Sequence, residues 1–518
     1  MKTVLIRPPA TYPRGAVSPS ANTPVGLLWI AAVLEEHGFP VAVIDGMIDP
    51  DRPARPVEGG GLHFGMGWEE MARRVTAEKP RVVGISAPFS AQFANSLRCA
   101  ALVKDLFPEA LVVMGGNHPT IRPGDCFSGT GAIDLVCLGE GEEVMLEIVR
   151  RRARGESTDD IPGTAIRDGN SFRRNGSGQP IADLDSLPLP AYHLIELECY
   201  FRLHRQGYTD RTAYRYPGSE RTVSVVTSRG CPFDCVFCSI HLHMGRKWRS
   251  HSADYVRRHI DLLASRYGVR HIHFEDDNIS ASPVRFRRIL EDLKGGHPGI
   301  TWDTPNGIRV DTLDEGIVGL CKESGCTYLI FGVESGCQRV LDEVVGKRLN
   351  LAAVTEAARW CGKAELNAMA FYVIGFPGES IDEMRATADF AMGLMRSYDV
   401  QPFLFVATPL PGTRLEKICL DRGFLRRPLE PEELARMTQG NLCVETDEFT
   451  FGDVSRIARE LTREVGRTFK WNAARFFLRH PGAFPRFLRE AAWLSRQLPR
   501  MESAHRILEF KMCLIRTT

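Results

Sequence analysis

The chain lacks a long hydrophobic segment, because no apolar run reaches the roughly 20 residues needed to span a bilayer. The apolar stretch at the N-terminus ends at Arg7-Pro8-Pro9 and is too short for an export signal. Net charge is also almost absent, with 65 Lys and Arg against 64 Asp and Glu, so charge alone gives no argument for nucleic-acid or membrane binding. The composition excludes a mainly disordered or low-complexity chain. We therefore expect a cytoplasmic globular protein with about three domains in its 518 residues.

Cysteine is not scarce, since the chain has 14. Several lie singly in apolar segments, such as Cys99 and Cys321, where buried free thiols are common. In the absence of an export signal, reduced thiols and a metal site are favoured over a disulfide scaffold. Three cysteines lie close together: Cys231, Cys235 and Cys238.

The first 154 residues alternate short apolar segments with helical patterns. Strands are predicted at 4–6, 41–45, 82–86, 111–116 and 134–141, and helices at 24–37, 92–106 and 142–154. This alternation predicts a Rossmann-like α/β domain, in which helices cover both faces of a parallel sheet. Ligands of such sheets lie beyond the carboxyl ends of the strands. Polar or glycine-rich turns follow three of these strands, at Ser86, at Gly115-Gly116 and at Gly139-Glu140-Gly141.

A second alternation covers residues 222–430 and follows a segment, 155–221, that is predicted to be a linker. The linker contains a Gly/Asn/Ser-rich patch near 169–178 and a proline cluster at 186–193. Candidate strands of the second region are 222–228, 271–276, 301–310, 327–335, 368–376 and 401–409. Six strand–helix units predict a partial TIM-like (β/α)6 barrel with its site at the carboxyl ends of the strands.

Residues 431–518 are predicted to form a mainly helical extension. Its last part, 451–518, has 14 Lys and Arg against 6 Asp and Glu, interleaved with aromatic residues such as Phe484, Phe487 and Trp493. The favoured interpretation is a set of helices that pack on the barrel and close a substrate pocket. Docking on an anionic membrane or a lipid-like substrate and nucleic-acid contact are the alternatives.

The three clustered cysteines follow the first strand of the barrel-like region with the spacing Cys-x-x-x-Cys-x-x-Cys. A strand-end loop that contains Gly230 and Pro232 can fold three thiolates around one inorganic centre. Structural zinc usually takes four ligands, whereas three cysteines suit a 4Fe–4S cluster with one iron left open. The alternatives are structural zinc, an electron-transferring cluster with a distant fourth ligand, and unrelated buried thiols.

With this motif, residues 222–410 resemble a radical S-adenosylmethionine (SAM) enzyme. The resemblance implies that Cys231, Cys235 and Cys238 hold the cluster, and that its open iron chelates the amino and carboxylate groups of SAM. It also implies SAM contacts at the ends of successive strands, at Glu275, Asp276, Asp277, Asn278, Arg309, Glu334, Ser335 and Gly375. For single members of this set, a helix N-cap, a salt bridge or a simple turn is the alternative role.

The first 154 residues resemble the cobalamin-binding domain that precedes many radical SAM enzymes. The resemblance implies cobalamin contacts at Ser86, Gly115, Gly116, Gly139, Glu140 and Gly141. The Asp-x-His-x-x-Gly motif, whose histidine ligates cobalt in cobalamin mutases and methionine synthase, is missing, and Arg7-Pro-Pro-Ala-Thr-Tyr follows the first strand instead. A histidine ligand to cobalt is therefore not expected, although His118 is a candidate neighbour of its lower face. A Rossmann-like domain that only docks on the barrel is the alternative.

Together the two resemblances imply a cobalamin-dependent radical SAM methyltransferase that acts on an unactivated carbon, less often phosphorus, of a small-molecule metabolite. The implied cofactors are a 4Fe–4S cluster, SAM and methylcobalamin. The implied partner is a flavodoxin- or ferredoxin-type electron donor, and no nucleic acid is expected. One alternative is a cobalamin-dependent oxidative cyclase or ring-rearranging enzyme with the same cofactors. The other is a non-catalytic cobalamin or iron–sulfur binding protein.

Overall fold

A computed structural model describes residues 1–13, 19–58, 61–128, 131–208, 220–425, 427–436 and 444–479. The strands of its first part are β1 (Thr3–Arg7), β2 (Ala10–Tyr12), β3 (Val41–Asp45), β4 (Ala54–Pro56), β5 (Leu62–Phe64), β6 (Val82–Ser86), β7 (Leu111–Gly115), β8 (Leu135–Cys137), β9 (Thr164–Asp168) and β10 (Ser171–Arg174). The helices of this part are α1 (Val25–Glu36), α2 (Trp68–Glu78), α3 (Phe93–Leu106), α4 (Asn117–Ile121), α5 (Pro123–Phe127) and α6 (Glu142–Arg154).

Seven of these strands form one sheet in the order β10-β9-β8-β7-β6-β1-β3. The five strands from β8 to β3 are parallel. Both of their faces are buried: Val4 and Ile6 of β1 pack in one hydrophobic cluster, and Leu5 packs in another on the opposite face with helix α1. Strand order reverses between β1 and β6, which places a ligand-binding crevice at their carboxyl ends. The predicted Rossmann-like domain is confirmed.

The segment 155–221, predicted as a linker, contains a β-hairpin and a helix that pack against the first domain. Strand β9 pairs antiparallel with β8, and β10 pairs with β9, so this hairpin extends the first sheet. Further along, helix α7 (Leu197–Arg205) buries Tyr200, whose hydroxyl donates to the carboxylate of Asp45 on β3. The hydroxyl of Tyr192 lies 3.0 Å from Nε2 of His259 in the second domain.

The second domain contains the strands β11 (Thr222–Val225), β12 (Ser228–Arg229), β13 (Arg249–Ser250), β14 (His271–Phe274), β15 (Thr301–Asp303), β16 (Cys326–Glu334), β17 (Ala368–Ile374) and β18 (Gln401–Val406). Its helices are α8 (Ile240–His243), α9 (Ala253–Tyr267), α10 (Pro283–Gly296), α11 (Glu315–Glu323), α12 (Leu351–Lys363), α13 (Ile381–Tyr398) and α14 (Arg414–Asp421). Six strands run parallel in the order β11-β14-β15-β16-β17-β18. This arrangement confirms the partial (β/α)6 barrel.

The third barrel strand is shorter than predicted. We expected it over 301–310, but β15 ends at Asp303. Pro305 has no backbone N–H to donate to a neighbouring strand, and Gly307 adopts a φ of 85° that turns the chain. Ile308 returns to the sheet through a single bridge to Phe331.

The chain continues beyond the barrel in helices α15 (Pro431–Arg436) and α16 (Phe451–Arg479). Helix α16 packs against α13, and it buries Val454, Ile457, Leu461 and Val465. The predicted helical extension is thus confirmed for this part, whereas the aromatic residues Phe484, Phe487 and Trp493 lie outside the described residues. No helix among the described residues is both long enough and apolar enough to cross a membrane.

Candidate functional site

A cavity of about 800 Å³ lies where the carboxyl ends of the two parallel sheets face each other. One wall comes from the ends of β6, β7 and β8 and from the start of α1, and the other comes from the barrel strands. The predicted site residues that line this cavity, counting both walls, are Ser86, Gly115, Gly116, Gly139, Glu140, Gly141, Cys231, Cys235, Cys238, Glu275, Asp277, Asn278, Arg309 and Glu334. The structure therefore brings together residues that the sequence assigned to two separate cofactors.

The loop after β12 holds the three cysteines against the cavity. Gly230 begins this loop with a φ of 81°, and a Cβ atom there would lie 2.7 Å from the carbonyl oxygen of Lys247, so only glycine fits this turn. Further on, the backbone N–H of Val236 donates to Val345 O at 2.8 Å. The loop is thereby tied to the barrel wall at a point between Cys235 and Cys238.

The three thiols lie in an environment that disfavours free thiolates. Burial raises the pKa of Cys231 and Cys235, and it raises the pKa of Cys238 to about 12. Arg309 and Lys347 oppose this increase at Cys231 and Cys235. A bound metal centre would supply the positive charge that stabilises all three thiolates.

The separation of the three sulfur atoms favours an iron cluster over a single zinc ion. Within the described part of the chain, the ligand atoms of Cys231, Cys235 and Cys238 do not all lie within 4.8 Å of one another. A single tetrahedral zinc ion would hold its sulfur ligands about 3.8 Å apart, given Zn–S bonds of about 2.3 Å. A cluster spreads its ligands over several irons, so these residues fit a 4Fe–4S cluster better than structural zinc.

The segment after β14 presents several polar side chains to the same cavity. Both the amide oxygen and nitrogen of Asn278 are buried and have no hydrogen-bond partner among the described residues. Burial and the adjacent Asp276 raise the pKa of Asp277 to about 7. Glu275 accepts a hydrogen bond from Ser224 Oγ at 2.9 Å. Groups of this kind fit a ligand with an amino group, such as SAM, because they supply acceptors.

A buried ion pair that the sequence did not reveal lies beside the cysteine loop. Lys347 Nζ donates to Glu334 Oε1 at 2.7 Å, and the two side chains are 8% and 10% exposed. Glu334 ends β16 with a φ of 74°, which is uncommon for a non-glycine residue. Arg309 pairs with Asp311 at 2.6 Å, and its guanidinium stacks over the ring of Phe233 at 3.6 Å. Lys347 lies in the irregular segment before α12 and belongs to no motif, so no spacing pattern could have indicated its role.

Three predicted SAM-contact residues do not line the cavity and instead form hydrogen bonds with neighbouring protein groups. Asp276 accepts hydrogen bonds from Thr227 N and Thr227 Oγ1, the latter at 2.8 Å, and so fixes the segment that leads to the cysteines. Ser335 contacts Thr387 Oγ1 at 2.9 Å. Gly375 has a φ of 85° and donates its N–H to Glu379 at 2.8 Å.

The cobalamin side of the cavity contains glycines and an open helix end. Gly116 adopts a φ of 117°, and a Cβ atom there would lie 2.8 Å from Ala87 O. By contrast, a Cβ atom on Gly26 would meet nothing within 4 Å. Gly26 lies in the first turn of α1. No side chain caps this end of the helix, and the first turn contains no acidic residue. This end can therefore receive a phosphate group, and the open wall fits a large planar cofactor.

Glu140 and His118, both predicted to lie near cobalamin, interact with other protein side chains. The Glu140 carboxylate accepts a hydrogen bond from Arg249 and lies 3.2 Å from Arg229 Nη1. These two arginines overcome the effect of burial and keep the pKa of Glu140 below its usual value. His118 does not line the cavity, since it is buried against Phe93 and its Nδ1 lies 2.9 Å from Ser90 Oγ.

A buried cluster of two histidines and one aspartate lies on the inner face of the barrel, apart from the residues that line the cavity. His271 and His273 on β14 lie on one face, while Ile272 between them packs in the hydrophobic core. His273 Nδ1 lies 2.5 Å from Asp303 Oδ1, and His271 Nδ1 lies 2.7 Å from Thr301 Oγ1. The two histidines hold the pKa of Asp303 well below its usual range despite its burial.

Comparisons with known proteins agree with this geometry. Residues 13–149 match the B12 binding domain family, and residues 225–391 match the Radical SAM superfamily. The chain is 32% identical over 469 residues to cytidylyl-2-hydroxyethylphosphonate methyltransferase of Streptomyces wedmorensis, with 84% of each protein covered. It is 31% identical to an uncharacterized methyltransferase of Pyrococcus horikoshii, over 82% of this chain and 84% of that protein. The solved structure of the radical SAM methyltransferase TsrM from Kitasatospora setae has a similar fold, with a TM-score of 0.62, 18% identity, and 83% and 84% of the two chains covered.

The two facing domains and the cysteine-lined cavity define a B12-binding radical SAM enzyme. The chain belongs to the cobalamin-dependent radical SAM methyltransferases. The cofactors expected from the sequence, a 4Fe–4S cluster, SAM and cobalamin, are those of the matched domains and are thereby confirmed.

Proposed function

We propose that this enzyme methylates an unactivated carbon, or less often phosphorus, of a small metabolite. The single observation that carries the proposal is the shared cavity, in which three cysteines face the glycine turns of the first sheet. When bound, the cluster and SAM supply a radical that removes a substrate hydrogen, and cobalamin supplies the methyl group. Such chemistry needs both cofactors within reach of one substrate, and the cavity lies between their two domains.

On the barrel side, we assign the cluster to Cys231, Cys235 and Cys238. Asp277 and Asn278 are proposed to accept hydrogen bonds from the amino group of SAM, because both line the cavity and the side-chain amide of Asn278 has no hydrogen-bond partner among the described residues. The other proposed SAM contacts are Glu275, Arg309 and Glu334. Asp276, Ser335 and Gly375 are assigned a supporting role, since their hydrogen bonds go to neighbouring protein groups.

On the opposite wall, we assign cobalamin to the turns at Ser86, Gly115-Gly116, Gly139 and Gly141, and we add Gly26. The absence of side chains at the glycines lets a macrocycle approach the backbone. The carboxylate of Glu140 is assigned a different role, because it is occupied by the two arginines of the barrel domain.

A nucleotide-activated phosphonate is the first substrate class to test, because a 32% identical relative is named for such a compound. The electron that the cluster requires is proposed to come from a flavodoxin- or ferredoxin-type protein. A reducing cytoplasm is the proposed location, since the described cysteines are all free thiols.

The test is anaerobic reconstitution with iron, sulfide and hydroxocobalamin, followed by incubation with reductant, candidate substrates and SAM that carries a deuterated methyl group. The expected product is heavier by one labelled methyl group, as measured by mass spectrometry. A Cys235→Ala variant, treated in the same way, should give none. A product without label would replace the proposal with cyclase or rearrangement chemistry, and a reconstituted enzyme that never cleaves SAM would overturn it.

A further inference from the structure

Four charged side chains meet at the boundary between the two domains. Glu140 and Glu142 belong to the first domain, and Arg229 and Arg249 belong to the second. Each is only 5–6% exposed. Arg229 Nη2 donates to Glu142 Oε1 at 2.6 Å, and Arg249 donates to Glu140. We call this group the interdomain ion-pair cluster.

One side of this ion-pair cluster is continuous with the cysteine loop. Arg229 precedes Cys231 by two residues, and Gly230 stands alone between them. Arg229 and Arg249 face each other in the antiparallel β12–β13 ladder, and the tight turn at Gly230 leaves no room for a Cβ atom. The position of the Arg229 backbone therefore sets where the cysteine loop begins.

The other side is continuous with the loop assigned to cobalamin. Glu140 and Glu142 flank Gly141, and both Gly139 and Gly141 line the cavity. The loop is also clamped from outside, because Glu140 accepts a hydrogen bond from Ile181 N at 2.9 Å while Arg249 donates to Ile181 O at 2.7 Å. The same four side chains thus hold the two cofactor loops in one relative position.

This arrangement is better suited to positioning than to stability. Replacing a buried ion pair with apolar residues is often neutral or stabilising, so such pairs are weak evidence for stability as such. The planar fork of an arginine, however, fixes direction as well as distance. Both domains line the cavity, so a ligand that contacts both walls stabilises the arrangement in which the ion pairs are formed. Two ligands that favour the same arrangement favour each other.

We infer that the interdomain ion-pair cluster couples the two cofactor sites, so that loading the iron–sulfur site tightens corrinoid binding and the reverse holds by the same factor. Glu140, Glu142, Arg229 and Arg249 are positioning residues in this scheme. The inference rests on the cofactor assignments within the proposed function and is independent of the substrate.

The test measures the dissociation constant of hydroxocobalamin by anaerobic absorbance titration, once on the cluster-free full-length chain and once on the chain reconstituted with iron and sulfide. We expect binding about tenfold tighter after reconstitution, within the usual range of coupling between sites. Glu142→Gln keeps the shape of the side chain and removes its charge, so the ratio should fall well below the wild-type value, although Glu140 still pairs with both arginines. The matched control is Glu147→Gln in the same helix α6, where Glu147 is 41% exposed and pairs with Arg151; it should keep the wild-type ratio.

The outcomes separate positioning from a merely structural role. A wild-type ratio of one, or a Glu142→Gln ratio equal to that of wild type, overturns the inference. Equal weakening of both titrations, with the ratio preserved, marks a structural role and also overturns it. If thermal unfolding shows that Glu142→Gln does not fold, Arg229→Lys is measured in its place. A lowered ratio of the two dissociation constants is again expected, because lysine lacks the planar guanidinium group that bonds in two fixed directions. Since the titrations record binding alone, a failure of methyl transfer would appear separately, in the labelled-product assay.

Discussion

Asp277 should make SAM binding depend on pH near neutrality. Burial and the neighbouring Asp276 raise its pKa to about 7, so the empty site is mostly protonated at pH 6 and mostly ionised at pH 8. A protonated carboxyl is a poorer acceptor for an amino group than a carboxylate is, so SAM affinity should rise with pH. The ionised fraction changes from about one eleventh to about ten elevenths over this range, which corresponds to about tenfold in affinity or ~1.4 kcal/mol.

The assay is anaerobic calorimetric titration of SAM into the reconstituted protein at pH 6, 7 and 8, with wild type and Asp277→Asn in parallel. The ratio of the two dissociation constants removes the titration of the amino group of SAM itself. Cys231 and Cys238 interact with Asp277 electrostatically, so wild type and variant are compared at equal cluster content. A ratio that stays flat from pH 6 to 8, or a midpoint below about 5, would refute the assignment of Asp277.

Three further predictions concern the cluster, the cobalamin wall and the buried lysine. Cys235→Ala should abolish the iron–sulfur signal in electron paramagnetic resonance and still bind hydroxocobalamin; loss of both would argue against separate sites. Gly26→Leu should weaken hydroxocobalamin binding at least tenfold without lowering the melting temperature, because the added side chain enters open space; unchanged affinity would remove Gly26 from that wall. Lys347→Met should cost about 3–5 kcal/mol in urea unfolding, since it leaves Glu334 buried and unpaired. Adding Glu334→Gln should recover most of that loss, and a double variant as unstable as the single one would contradict the ion-pair explanation.

Much of the fold could be predicted because its elements have strong local patterns. The apolar strands of both sheets alternate with helices, and a strand that is buried on both faces appears as a continuous apolar run. The strand predicted at 301–310 is longer than the observed strand, which ends at Asp303 because Pro305 and Gly307 interrupt it. Segment 155–221 contains a hairpin and a helix, whose places depend on partners elsewhere in the chain.

The candidate site shows the limit of local patterns at the scale of one residue. Asp276 and Asp277 are adjacent and chemically identical, yet Asp277 lines the cavity while Asp276 holds Thr227. Successive side chains of an extended segment point in opposite directions, so the motif can indicate the strand end but not which carboxylate faces the ligand. Glu140 shows the same limit at long range, because its partner Arg249 is 109 residues away.

The amino-acid sequence alone determined the order of the two α/β domains and the motif of the three cysteines proposed as cluster ligands, because hydrophobic periodicity and the spacing of cysteines within one loop are local properties of the chain. Tertiary structure decided which polar groups face the shared cavity, the pairing of Lys347 with Glu334, and the ion pairs between the domains. These features depend on strand order and on how the two sheets meet. Contacts between distant segments form only when the whole chain folds, so no window of sequence contains them.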